Sequence, residues 1–303
     1  MAHGARRTRR ARWSPDRALR VGLLAGSAAV EEGLLAAARS DVPFIAEAGR
    51  NLLRSGEAWR LRPLLVLLAA RFGDPRAPGV VPAAVAVELT HLASLGHDSV
   101  PNTDPLRHAG PGPGALRDTA VAILAGDFLF ARASQILADL GTDAVRIQTA
   151  AYARVVTGQI LGRRGPGEGC DPLAHHRKVA AAQTGALTAA SGRLGALAAG
   201  ADKRVGVVLA RYGELLGTAL RLTDDALRAA TDGPFPTGEP GGGPVRPPRA
   251  HPTPERTLRE ARRRARRARA ALKDLPDQAA KDALTRLCDA VAAQAGCGDD
   301  RSE

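Results

Sequence analysis

ELTHLASLGHDSV at residues 88–100 and AVAILAGDFLFAR at residues 120–132 decide how this chain folds. In the first and just before it, Val85, Leu89, Leu92 and Leu95 recur at helical spacing, and the apolar stripe runs up to Asp98. In the second, an apolar run carries one carboxylate, Asp127, which needs a partner if it is buried, and the sequence does not name that partner. Between them PNTDPLRHAGPGP, residues 101–113, is too rich in Pro and Gly to continue either helix. An aspartate at the mouth of an apolar helix asks for a counterpart, and the matching stretch is LRLTDDALR at residues 220–228.

Working outward, alanine and leucine dominate, aromatic residues make up only 3%, and β-branched residues come mostly as single valines, so amphipathic helices are favoured over strands. The expected fold class is all-α, in a chain of 303 residues that is long enough to bury a substantial core. The net charge of +12 is local. Residues 1–20 carry +6 and residues 256–269 carry +7, so the remainder is close to neutral. No aromatic residues interleave with these arginines as stacking platforms, and specific nucleic-acid binding is not expected. Cys170, Cys288 and Cys297 form no CxxC pair, which argues against a disulfide framework and a zinc site and suits a reducing cytoplasm. The basic N-terminus is not followed by an uninterrupted apolar core, and no membrane span is expected.

The organisation read from the chain is a basic tail over residues 1–14, a helical domain over 15–296 interrupted by a Pro/Gly-rich loop or lid at 233–254, and a short tail at 297–303. The first helix is expected from Ser14, with Pro15 and Asp16 in its first turn. A long helix of small residues is expected over 176–199, with Gln183 and Thr184 near its middle.

Three features carry possible chemistry. Arg60 and Arg62 precede Pro63 at the start of an apolar helix, either as plain surface charge or as a bidentate phosphate clamp. His91 lies one turn from Glu88, where a histidine is more often structural than catalytic. Asp98, Asp224 and Asp225 stand at helix ends, where facing carboxylates can share magnesium with substrate phosphates. Asp-Asp followed by Arg228 is equally a common surface salt-bridge pattern.

Taken together these stretches resemble the trans-polyprenyl diphosphate synthase family. RLRPLLVLLAA (60–70) is similar to its GGKRLRP segment, VELTHLASLGHDSV (87–100) to the helix that ends in its first DDxxD motif, and VAILAGDFLFARA (121–133) to its GDFL helix. LGTALRLTDDAL (216–227) is similar to the stretch with the second DDxxD, and ALKDLPDQAAKDALTRL (271–287) to the closing helices. The resemblance implies a single large helical bundle around a central apolar cavity, commonly dimeric. It also implies Mg²⁺-dependent transfer of an allylic prenyl group to isopentenyl diphosphate. Residue by residue it implies Asp98, Asp224 and Asp225 as catalytic metal ligands, and Arg62, His91, Arg107, Gln159 and Thr184 as substrate-binding residues.

The departures fall on chemistry. Ser99 and Asn102 replace carboxylates of the first motif, and Arg228 replaces the last of the second. Trp59 and Gln183 stand in place of lysines, Arg221 in place of a glutamine and His108 in place of an arginine, while in TGEPGG (237–242) Glu239 stands where the family has lysine. Fewer carboxylates mean weaker neutralisation of the diphosphate. The expected function is therefore that of an isoprenoid-biosynthesis protein with weak or no catalysis, acting as a partner subunit of an active homologue or as a prenyl-diphosphate binder. The alternative is an active prenyltransferase or diphosphate-dependent cyclase; small Ala93 and Ser94 before Asp98 would then leave a deep cavity and a medium or long product.

Overall fold

The computed structural model describes residues 16–55, 60–98, 113–232 and 252–296, and the regular elements in them are helical, as composition and periodicity lead one to expect. In chain order they are α1 (Arg17–Ala37), α2 (Pro43–Ser55), α3 (Leu61–Ala69) with a 3-10 turn (Ala70–Phe72), α4 (Val80–Asp98), α5 (Pro113–Asp139) and α6 (Thr142–Arg164). They continue as α7 (Pro172–Ala180), a π-helical turn (Ala181–Gly185), α8 (Ala186–Ala198), α9 (Lys203–Asp232), α10 (Pro254–Ala271) and α11 (Ala279–Gly296). The two expected tails, residues 233–251 of the Pro/Gly segment, Trp59, Ser99, Asn102, Arg107, His108, Glu239 and Cys297 lie outside the described residues.

Local chemistry sets the helix ends. Asp16 caps α1 by accepting the Leu19 N–H at 2.7 Å, so the helix starts at Arg17 and not at Ser14. Asp171 caps α7 and Thr253 caps α10 in the same way, each with a proline following, where the missing N–H costs nothing. Gly200, at φ +65°, ends α8 with the Ala201 N–H bonded back to the Ala196 carbonyl at 2.9 Å. The expected helix over 176–199 begins earlier, at Pro172, and is interrupted by the π turn that contains Gln183 and Thr184.

The small-residue helix α8 sits at the centre and packs on α3, α4, α6 and α9. Glycine permits the closest approaches. A Cβ on Gly195 would stand 2.4 Å from the Val66 carbonyl oxygen on α3, and one on Gly213 would stand 2.2 Å from the Thr188 carbonyl oxygen on α8. Thr188 Oγ1 donates across the second contact to the Gly213 carbonyl at 2.7 Å. Around this axis one apolar cluster joins Leu65, Leu68, Tyr212, Leu216 and Leu284, and another joins Leu34, Leu89, Leu92, Leu129 and Leu137.

By length and composition alone, α4 (over Val80–His97) and α5 (over Ala120–Asp139) are apolar enough to cross a bilayer, where the sequence reading found no such segment. α4 is mostly buried as a core helix. α5 is mostly uncovered, with Ile123 and Leu124 exposed, and Val156 and Ile160 are exposed on neighbouring α6. On α10, Arg256, Arg259, Arg263, Arg266, Arg267 and Arg269 are exposed, while Glu260 on the same helix is buried under Arg263 and Arg264.

Candidate functional site

The start of α3 meets the middle of α4 through charge. Arg60 is buried and bonds Glu31 of α1 through Nε at 2.9 Å, Glu88 of α4 through Nη1 at 3.1 Å and the Leu53 carbonyl at 3.3 Å. It ties three helices together and is not half of a phosphate clamp, because its fork is already filled. Arg62 differs: its Nε is buried without a hydrogen-bond partner. Burial lowers its pKa, the Glu88 carboxylate opposes that shift, and the Arg221 cation adds to it. Glu88 is pushed up by burial against the pull of Arg62 and Arg60, and its Oε2 also lacks a partner. Burial first, then Arg62 and Arg60, hold His91 well below the usual histidine range, so the ring is neutral at pH 7 and can donate one hydrogen bond and accept another.

The two remaining substrate-binding expectations with described side chains, Gln159 and Thr184, lie at the α6 joint. Gln159 Nε2 donates to the Ser94 carbonyl at 3.0 Å, one turn before Asp98, and so steadies the end of α4. Next to it, Gly158 allows the π turn to close in: Gln183 Nε2 donates to the Gly158 carbonyl at 3.2 Å, and a Cβ on Gly158 would lie 2.8 Å from that of Ala182. Thr184 sits in this π turn, an irregularity that often marks functional positions. Asp127 also finds its partner here: His97 Nε2 lies 3.0 Å from its Oδ1, and His97 Nδ1 lies 2.9 Å from the Tyr152 hydroxyl of α6. Asp98 is the last residue of α4, and its side chain lies outside the description.

On α9 the two aspartates part company. Asp224 is exposed at the surface of α9, yet the protein packed round its carboxyl strips enough water to raise its pKa, helped by Asp225 and opposed by Arg228 and Arg221. Asp225 is buried, and both of its oxygens are engaged. Arg221 Nε donates to Oδ1 at 3.0 Å and to Oδ2 at 2.8 Å, Arg228 Nη2 donates to Oδ1 at 3.1 Å, and His176 Nε2 of α7 lies 3.3 Å from Oδ2. Burial alone would raise this carboxyl, but the contacts with His176 and Arg221 outweigh it and hold the pKa below the usual range. Arg228 thus pairs with Asp225, and its Nε also donates to the Asp224 backbone carbonyl at 3.4 Å.

Among the described residues, Asp225 as it stands does not fit magnesium. The ion needs carboxylate oxygens free to enter an octahedral shell. At Asp225 a cation would first have to displace two guanidinium groups that already neutralise the charge. Among the described residues no group of three or more His, Cys, Asp or Glu could hold a metal ion. Sequence reasoning missed His176 and Glu31, since both meet their partners from other helices with no spacing signal. The Arg221–Asp225 pair, by contrast, is visible as an i,i+4 pattern. A separate cleft of about 700 Å³ lies between α6, α8 and α9, with an alanine floor and a rim that includes the Arg154–Glu214 ion pair. None of the expected site residues lines it.

Residues 43–238 match the model of the polyprenyl synthetase family. The chain is 38% identical over 204 residues to the nonaprenyl diphosphate synthase of Mycobacterium tuberculosis, a match covering 67% of this chain and 61% of that protein. It is also 38% identical over 201 residues to heptaprenyl diphosphate synthase component 2 of Geobacillus stearothermophilus, covering 66% of this chain and 62% of that protein. It thus spans about three fifths of the length of the curated relatives it matches. Its fold is similar to the crystal structure of geranylgeranyl pyrophosphate synthase from Corynebacterium glutamicum complexed with calcium and isoprenyl diphosphate, with a TM-score of 0.80 and 30% identity, covering 93% of this chain and 99% of that one.

Proposed function

We propose that this chain, which belongs to the polyprenyl synthetase family, binds prenyl diphosphates but turns them over weakly or not at all, serving as the partner subunit of an active homologue or as a prenyl-diphosphate binder. The observation that carries the reading is Asp225. A carboxylate that the family resemblance assigns to magnesium is instead neutralised inside the protein by Arg221 and Arg228. Catalysis that depends on concentrating positive charge at a leaving diphosphate loses its main electrostatic contribution when the carboxylates that would gather that charge are already paired.

Binding is better provided for than turnover. Arg62 offers a buried guanidinium with an unpartnered Nε, suited to a phosphate oxygen, and the neutral His91 can donate a hydrogen bond beside it. Gln159 holds the last turn of α4 in place through Ser94. The similarity to a protein named as component 2 of a heptaprenyl diphosphate synthase supports a heteromeric role. The exposed apolar side chains Ile123, Leu124, Val156 and Ile160 on α5 and α6 offer a surface for a second copy or for such a partner.

A second reading, an active Mg²⁺-dependent prenyltransferase, is favoured by the similarity to proteins named as synthases and by the exposed Asp224. One assay separates the two: purified chain with isopentenyl diphosphate, allylic diphosphates of several lengths and Mg²⁺. The expected result is little or no chain elongation alone, with a change in rate or product length when an active homologue from the same cell is added. Robust elongation alone, abolished by Asp98→Ala or Asp224→Ala, would establish the second reading.

A further inference from the structure

We propose that the site holds the diphosphate of an allylic prenyl diphosphate without a divalent cation, the guanidinium groups of Arg221 and Arg228 standing at Asp225 where a metal would otherwise bring positive charge. This rests on the prenyl-diphosphate reading above and goes beyond it by naming what replaces the metal.

Charge and geometry both support it. Arg221 and Arg228 match the charges of Asp225 and of neighbouring Asp224, so the two carboxylates are already compensated before any ligand arrives. A divalent cation entering there finds no uncompensated carboxylate at Asp225, and a diphosphate finds two guanidinium groups already held side by side. Arg221 reaches the carboxylate through Nε alone, so its terminal amino groups are not used there. Both arginines extend toward solvent, with side-chain exposures of 39% and 59%, while the aspartate that anchors them is 7% exposed. The aspartate therefore orients both guanidinium groups and lowers the entropy lost when they close on a phosphate, and the terminal amino groups of Arg221, which bonds Asp225 through Nε, match phosphate oxygens. Arg62, close enough for Arg221 to repel it, adds a buried donor, Nε, that has no hydrogen-bond partner among the described residues. A buried N–H of that kind is costly unless a ligand completes it.

Titration calorimetry with geranylgeranyl diphosphate on the full chain tests the proposal, in EDTA and in Mg²⁺. The expected dissociation constants agree within about threefold, a difference of well under 1 kcal/mol. Binding only in Mg²⁺ would overturn the metal-free mode while leaving the prenyl-diphosphate reading intact; binding in neither would overturn both. Arg221→Gln combined with Arg228→Asp is expected to weaken binding in EDTA by about tenfold or more and to make it respond to Mg²⁺. Undiminished binding of this variant in EDTA would sink the idea. Because the double change could disturb α9, Arg228→Gln alone, which keeps the Arg221–Asp225 pair, is measured beside it and should show a smaller loss in the same direction. Strong elongation by the parent chain in Mg²⁺, together with undiminished binding in EDTA, would remove the weak-catalysis reading and uphold this one.

Discussion

Asp225 shows how one residue changes its chemistry with its neighbours. A buried carboxylate with two guanidinium partners contributes to stability mainly because removing it leaves two partly exposed cations without their counter-charge. Asp225→Asn keeps the shape and loses the charge; it is expected to cost about 2 kcal/mol, discounted for the exposure of both arginines, and to lower the urea midpoint without changing the slope. The pH dependence follows from the depressed pKa. The contribution of this carboxylate is complete above its unfolded value of about 4 and is lost as the pH falls through the lower folded value. Urea midpoints measured between about pH 6 and pH 3 should therefore fall more steeply for the parent than for Asp225→Asn. Equal slopes would mean that the carboxylate is not held down by its partners. That an arginine pairs with the Asp-Asp dipeptide was legible from the i,i+3 and i,i+4 spacings. Which aspartate it takes was not, because His176 and burial on α9 make that choice.

At the scale of elements, the packing of α8 against α3 and α9 depends on backbone contact. Gly213 and Gly206 lie on the same helix and make an internal comparison. A Cβ at Gly213 would collide with the Thr188 carbonyl, whereas one at Gly206 would meet only the Ala196 methyl, at 3.7 Å. Gly213→Ala should destabilise by about 2–3 kcal/mol through overpacking. Gly206→Ala should stabilise by about 0.5–1 kcal/mol through helix propensity. Thermal unfolding of both variants checks the sign of each. The π turn belongs to the same scale. Sequence periodicity predicts an unbroken helix there, since one additional residue in a turn leaves no trace in composition, and only contact with Gly158 on α6 shows where it falls.

For the whole molecule, the open question is what covers α5. Its apolar side is mostly exposed while α4, equally apolar, is mostly buried, so hydropathy alone cannot separate a core helix from an interface helix. With this face seating a second copy, as proposed above, Leu124→Arg with Ile160→Arg is expected to shift the protein from dimer to monomer in sedimentation velocity, with the helical circular dichroism spectrum preserved. An unchanged sedimentation coefficient would place the interface elsewhere.

Helical spacing and small-residue stripes are local properties, so the all-α class and the family could be read from residues such as Leu89 and Leu92 and from the GDFL stretch, whereas helix starts such as the one Asp171 caps were placed only by the structure. The roles of charged groups are not local. Arg60 looked like a phosphate ligand until Glu31 and Glu88 met it from two other helices, and Asp225 looked like a metal ligand until Arg221, Arg228 and His176 closed around it. Coulomb energy depends on distance and burial, and both are set only when helices distant in sequence are packed together.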